Sequence, residues 1–299
     1  MRWKGRRVSS NLEDRRGGGG AKAGGISILG LIVAFVAWKF FGVDPQMAYQ
    51  ATKQVTSGQQ QQATGLENPT PEQQETAAFV GTVLADTEDT WSQVFKQQGM
   101  QYTSPKLVMF SGTVNSGCGA AQSAMGPFYC PADQKIYIDT AFFKDMHQQM
   151  GISGEQNQSE LSTQNAAGDF AQAYVIAHEV GHHIQNLLGI SGQVQQARQT
   201  ANEAQGNQLS VRLELQADCL AGVWAKDTHQ RTQFLENGDI EEAMDAAHKI
   251  GDDYLQKRAR GQVVPDSFTH GTSAQRMQWF DKGMQSGDIN QCDTFKASI

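Results

Sequence analysis

The sequence predicts an α+β chain: a mostly helical domain carrying a small β-sheet, behind one N-terminal transmembrane helix. Three observations predict it. Residues 24–43, GGISILGLIVAFVAWKFFGV, form one apolar run whose only charge is Lys39. Beyond residue 70, apolar residues recur at helical spacing over long stretches, beginning with Phe79, Val83, Leu84, Trp91, Val94 and Phe95. Residues 106–115 and 134–143 are instead short and rich in aliphatic and aromatic side chains, as strands are.

The elements follow in order. Residues 1–25 form a basic head, with Arg2, Lys4, Arg6, Arg7, Arg15, Arg16 and Lys22 set against Glu13 and Asp14. The whole chain carries −7, so the remainder is more acidic still. That excludes nucleic acid as the body's partner, because phosphate binding needs clustered Lys and Arg there. Residues 26–43 are the transmembrane helix, since about 20 apolar residues span a bilayer. Trp38, Phe40 and Phe41 sit where an aromatic belt belongs. A cleaved signal peptide is the alternative, but the run ends WKFFGVDPQ, with no small-x-small site. The positive-inside bias then gives a single-pass topology, with a cytoplasmic head and everything after Val43 outside the cytoplasm.

Residues 44–70, with the run Gln59–Gln62, read as a flexible tether. Residues 71–299 are the domain. Its first helix opens at Thr70-Pro71 with Gln73 as capping-box partner, and Gly99 ends it. The polar residues 151–168 are expected to be a surface loop. Helices are expected over about 169–188, 208–227 and 239–259, and from Thr272 onward.

There are four cysteines: Cys118, Cys130, Cys219 and Cys292. None forms a CxxC pair, which argues against a cysteine zinc site. An even count outside the cytoplasm suggests disulfides. A Cys118–Cys130 bridge would staple a Gly-rich loop, and Cys219–Cys292 follows by elimination. The alternative for Cys219 is a buried free thiol on an apolar helix face.

Residues 173–185 read AYVIAHEVGHHIQ. His178 and His182 are four apart, so a helix brings both imidazoles to one face and one metal ion. Glu179 stays beside the metal's open side, where the general base for a metal-bound water belongs. The flanks are apolar, and burying these polar groups there is costly unless a metal or partners satisfy them. Catalytic zinc needs a third protein ligand. Gln185 and Leu188 exclude the pattern with a third histidine close behind the first two. Glu214, in LELQADCLAG, is the expected ligand, with Asp218 one turn on to accept a hydrogen bond from a ligand histidine. An ordinary helix salt bridge to Arg212 or Lys226 is the bland alternative. His183 points elsewhere on the helix and is expected to be a packed or surface histidine.

HExxH followed by ExxAD resembles the gluzincin metallopeptidases, which implies a zincin-like catalytic domain holding one zinc ion, with residues 134–140 as an edge strand in the cleft. Residues 269–276, THGTSAQR, resemble their Thr-His-Pro-x-x-x-x-Arg segment, with Gly271 in the place of proline. The resemblance implies that His270 stabilises the oxyanion and that Arg276 supports that geometry or orients Asp218. The chain as a whole is similar to the putative neutral zinc metallopeptidase family of bacteria. The head, the anchor, GPFYCPADQKIYID at 126–139 and the motifs above carry that likeness. It implies a peptidase in the bacterial inner membrane, attached through residues 26–43 and acting outside the cytoplasm on proteins or peptides. A membrane-anchored assembly factor keeping the zinc fold as scaffold is the rival, and Glu179, which a scaffold does not need, speaks against it.

Overall fold

A computed structural model describes residues 1–18, 66–122, 126–152 and 168–299. The expected transmembrane helix, most of the tether and nearly all of the 151–168 loop lie outside the described residues. Among the described residues, no helix is long and apolar enough to cross a membrane.

The fold is α+β and mostly helical, as the periodicities imply. Strand β1 (Leu12–Asp14) is followed by helix α1 (Pro71–Gln97). Then come β2 (Lys106–Phe110), β3 (Thr113–Ser116), β4 (Gly119–Gln122), β5 (Phe128–Cys130) and β6 (Lys135–Asp139). Helices complete the chain: α2 (Ala141–Gln148), α3 (Asp169–Leu187), α4 (Ile190–Arg198), α5 (Glu203–Thr232), α6 (Asp239–Lys249), α7 (Asp252–Arg260) and α8 (Ser273–Ser286). Thr70 caps α1 through the expected box with Gln73.

Four strands form one sheet in the order β1-β2-β6-β5. The first three run parallel and β5 is antiparallel to β6. Strand β6 is therefore interior, which corrects the expectation of an edge strand at 134–140. Ile136, Tyr137 and Ile138 are all buried, as in a strand covered on both faces. The edge is β5. The run 106–115 breaks at Gly112, whose φ of 80° ends β2 before the β3–β4 hairpin begins. Leu107, Met109, Ile136 and Ile138 face the main helical core, while Val108, Phe110 and Tyr137 face a smaller cluster under the hairpin.

Residues 1–18 do not stand apart as a head. They are built into this body. Met1 and Trp3 are buried in the main core, and Trp3 packs edge-on against Phe79 of α1 at 5.4 Å. Strand β1 pairs with β2, Leu12 opposite Leu107. The Met1 ammonium donates to Asp169 at 2.7 Å and Asp239 at 3.2 Å, at the first residues of α3 and α6. The basic residues that suggest a membrane flank are instead partners of acids. Lys4 pairs with Glu75, Arg6 with Asp86, Arg7 with Glu88 and Asp89, and Arg16 with Asp14.

Smaller departures have local causes. Residues 141–143 start α2 rather than extend β6. The stretch 239–259 is two helices, because the chain turns at Gly251, where a Cβ would lie 2.4 Å from the Ser273 nitrogen. Helix α5 starts earlier than its apolar stripe, at the Asn202 cap with its Gln205 partner.

Candidate metal centre

Helices α3 and α5 carry the centre, and small residues let them approach. A Cβ on Gly181, inside the HEVGH segment, would sit 3.0 Å from the Ala217 backbone. On the other side of α5, Gly222 and Gly283 admit α8, where added Cβ atoms would strike the Phe280 and Cys219 carbonyl oxygens. Glycine at these positions sets helix separation, and so the distance between side chains that face each other across it.

Across that seam, His178 and His182 aim their Nε2 atoms at one carboxylate. His178 Nε2 is 3.2 Å from Glu214 Oε2 and His182 Nε2 is 3.5 Å from Glu214 Oε1. Their ligand atoms lie within 4.8 Å of one another, the spread that one metal ion bridges. The opposite ring nitrogens are held. His178 Nδ1 donates to Asp218 Oδ1 at 2.7 Å, and His182 Nδ1 lies 2.9 Å from Gln185 Oε1. Asp218 is fully buried. It also accepts from the Tyr174 hydroxyl at 2.5 Å, and from Arg276 Nε and a terminal guanidinium nitrogen at 2.9 Å each. Burial alone would raise the Asp218 carboxyl, but Arg276 and His178 hold it below the usual carboxylate range. Burial likewise opposes charge on His178, yet Asp218 and Glu214 push it up to about 10. A donor set of two imidazoles and one carboxylate, each nitrogen backed by an acceptor, fits a zinc ion.

The family model for putative neutral zinc metallopeptidases matches residues 1–295. The chain belongs to that family. It is 51% identical over 309 aligned residues to the uncharacterized protein YpfJ of Escherichia coli K12, with the whole of both chains covered. It is 43% identical over 229 residues to uncharacterized proteins of Mycobacterium bovis (Mb2605) and Mycobacterium tuberculosis (Rv2575), covering 74% of this chain and 72% of theirs. No solved structure gives a significant match. Zinc is the metal that the family's description implies.

In this family member the centre opens into a cleft of about 1230 Å³. Glu179, His270 and β5 line it together with the two histidines and Glu214. The resemblance brings His270 to the site, and the structure places it on the cleft wall. Its loop is held by Asp252, the first residue of α7. One Asp252 oxygen accepts from the backbone N–H groups of Thr269, His270 and Gly271 at 2.8, 2.6 and 3.0 Å, and the other lies 3.2 Å from His270 Nδ1. That hydrogen bond raises the His270 imidazole above its ordinary value. Gly271 has φ of 92°, beyond proline's reach, and its N–H is one of the three donors. The glycine in proline's place therefore belongs to a differently built loop, not a weakened copy.

Both expected disulfides are present, Cys118–Cys130 and Cys219–Cys292. Three contributors escape the sequence reading. Tyr174 lies four residues before His178 on the same helix face, a spacing that makes it findable. Asp252 is invisible without the tertiary fold. His183 is buried as a packing residue should be, but it also makes two hydrogen bonds.

Proposed function

We propose that this chain is a zinc-dependent endopeptidase of the gluzincin type. One observation carries the reading: His178, His182 and Glu214 converge on a single point in the wall of an open cleft that Glu179 also lines. Zinc bound there supplies a Lewis acid that acidifies a water and polarises a carbonyl. Glu179, on the cleft wall beside that trio, would take a proton from the attacking water and return it to the leaving amine. His270, half exposed on the cleft wall, donates to the developing oxyanion. Asp218 fixes the His178 tautomer, and Arg276 with Tyr174 fixes Asp218. Strand β5 lies at an edge of the sheet and lines the cleft, where an extended peptide can add to the sheet by backbone pairing. Membrane contact through residues 26–43 is part of this reading.

The test uses the full chain, since residues 1–18 belong to the fold. It is expected to bind about one zinc per chain and to cleave an unfolded protein. Glu179→Gln should keep the zinc and lose cleavage by a factor on the order of 100 or more. Equal cleavage by parent and variant would falsify the mechanism. Zinc binding with no cleavage by the parent would favour the scaffold.

A further inference from the structure

We propose that His183 and Asn186 are positioning residues that clamp the edge strand β5, through Tyr129, in register for substrate. The proposal rests on the peptidase reading above. His183 is fully buried on the metal-bearing helix, one residue past His182. Its Nε2 lies 2.7 Å from the Thr103 carbonyl oxygen, which can only accept, so Nε2 carries the proton. Nδ1 is then the acceptor, and the Tyr129 hydroxyl donates to it at 3.1 Å. Asn186, three residues along the same helix, donates back to the Tyr129 oxygen at 3.0 Å. The hydroxyl proton is committed to His183. Tyr129 therefore does not present a donor to the reacting carbonyl; it ties β5 to the helix that carries the metal ligands. The neighbouring residues of β5 are fixed as well. Phe128 stacks on Tyr137 with centroids 5.0 Å apart, and Cys130 is bridged to Cys118. A three-residue edge strand has little holding it by itself, and here each residue has its own fastening.

Tyr129→Phe removes only the hydroxyl, and His183→Leu removes the acceptor. In Tyr129→Phe, KM for an extended peptide should rise about five- to tenfold, in line with the loss of one hydrogen bond. kcat should fall far less, and zinc should be retained. A loss confined to kcat, or an unchanged KM, overturns the clamp. Deuterium exchange at residues 128–130 with no substrate keeps the two readings apart. A parent that cleaves nothing sinks the peptidase reading, and the clamp is then judged by exchange. Faster exchange in both variants supports it and unchanged protection overturns it.

Independently, we infer that residues 1–18 and 66–299 lie together on the oxidising face of the membrane. Arg16 donates to the Gln73 carbonyl at 3.0 Å, so the described stretches on either side of residues 19–65 meet there. Ser9 N–H donates to the Gly81 carbonyl and Leu107 N–H to the Asn11 carbonyl, which stitches both sides of that gap into one sheet and helix face. A bilayer cannot lie between hydrogen-bonded partners. The two disulfides give the side, because such bridges are rare in a reducing cytoplasm. Ser10 and Ser298 are exposed and allow a conservative test. Full-length Ser10→Cys and Ser298→Cys chains in bacterial spheroplasts should both react with a membrane-impermeant maleimide. Reaction of only one overturns the shared side, and reaction of neither before lysis overturns the oxidising face.

Discussion

At the residue scale, the centre depends on a carboxylate that need not touch metal. Asp218 is the one acceptor shared by His178, Tyr174 and Arg276, and it is fully buried. Asp218→Asn leaves the Arg276 guanidinium buried without its counter-charge. We expect a loss of about 3 kcal/mol in chemical denaturation, and a 10- to 100-fold weaker zinc affinity by chelator competition. Wild-type zinc affinity in this variant would remove Asp218 from the centre. The ligand trio and Asp218 are legible in the sequence because helical spacing fixes which side chains share a face. Asp252 is not, since its three captured N–H groups lie 17 to 19 residues away on a loop that no periodicity marks.

At the element scale, the strand that matters most for the head is three residues long. Glu13 of β1 pairs with Lys135 of β6 at 3.0 Å, and with Arg15 and Lys106. Burial raises its carboxyl, but the hydrogen bonds and charges of Lys135 and Arg15 together bring it down to about 2. A depressed folded-state value means that its stabilisation is full above the ordinary 4.5 and is lost as pH falls toward 2. In thermal denaturation, Glu13→Gln should therefore trail the parent at pH 7, and the gap should close between about pH 4.5 and 2. A gap that stays constant with pH would assign the loss to packing. Strands β1 and β5 are missed by sequence reading for one reason: three residues are too few for an alternation to show. The long helices are read well, apart from their ends, where capping residues rather than apolar ones decide.

At the scale of the whole molecule, residues 1–18 are a structural part of the body. Removing them takes away Trp3 and Met1 from the core, and burying each is worth about 2 kcal/mol. Residues 66–299 alone should unfold at clearly lower denaturant than the full chain, and a synthetic peptide of residues 1–18 should restore the midpoint saturably. No effect of the peptide would mean that the head contributes nothing to the fold. Charge alone does not say whether the head's basic residues meet lipid headgroups or the protein's own carboxylates. Here Asp86, Glu88, Asp89 and Glu75 answer it.

The pairing of Asp218 with Arg276 also bears on the order in which a nascent chain acquires its parts. The histidines and Glu214 are made first, and the guanidinium that balances Asp218 follows 58 residues later. Cys292, which bridges back to Cys219 one residue past Asp218, comes later again. A ribosome therefore releases the metal ligands well before the groups that hold them in place. The candidate metal centre is thus completed only when the last residues that brace it have been made.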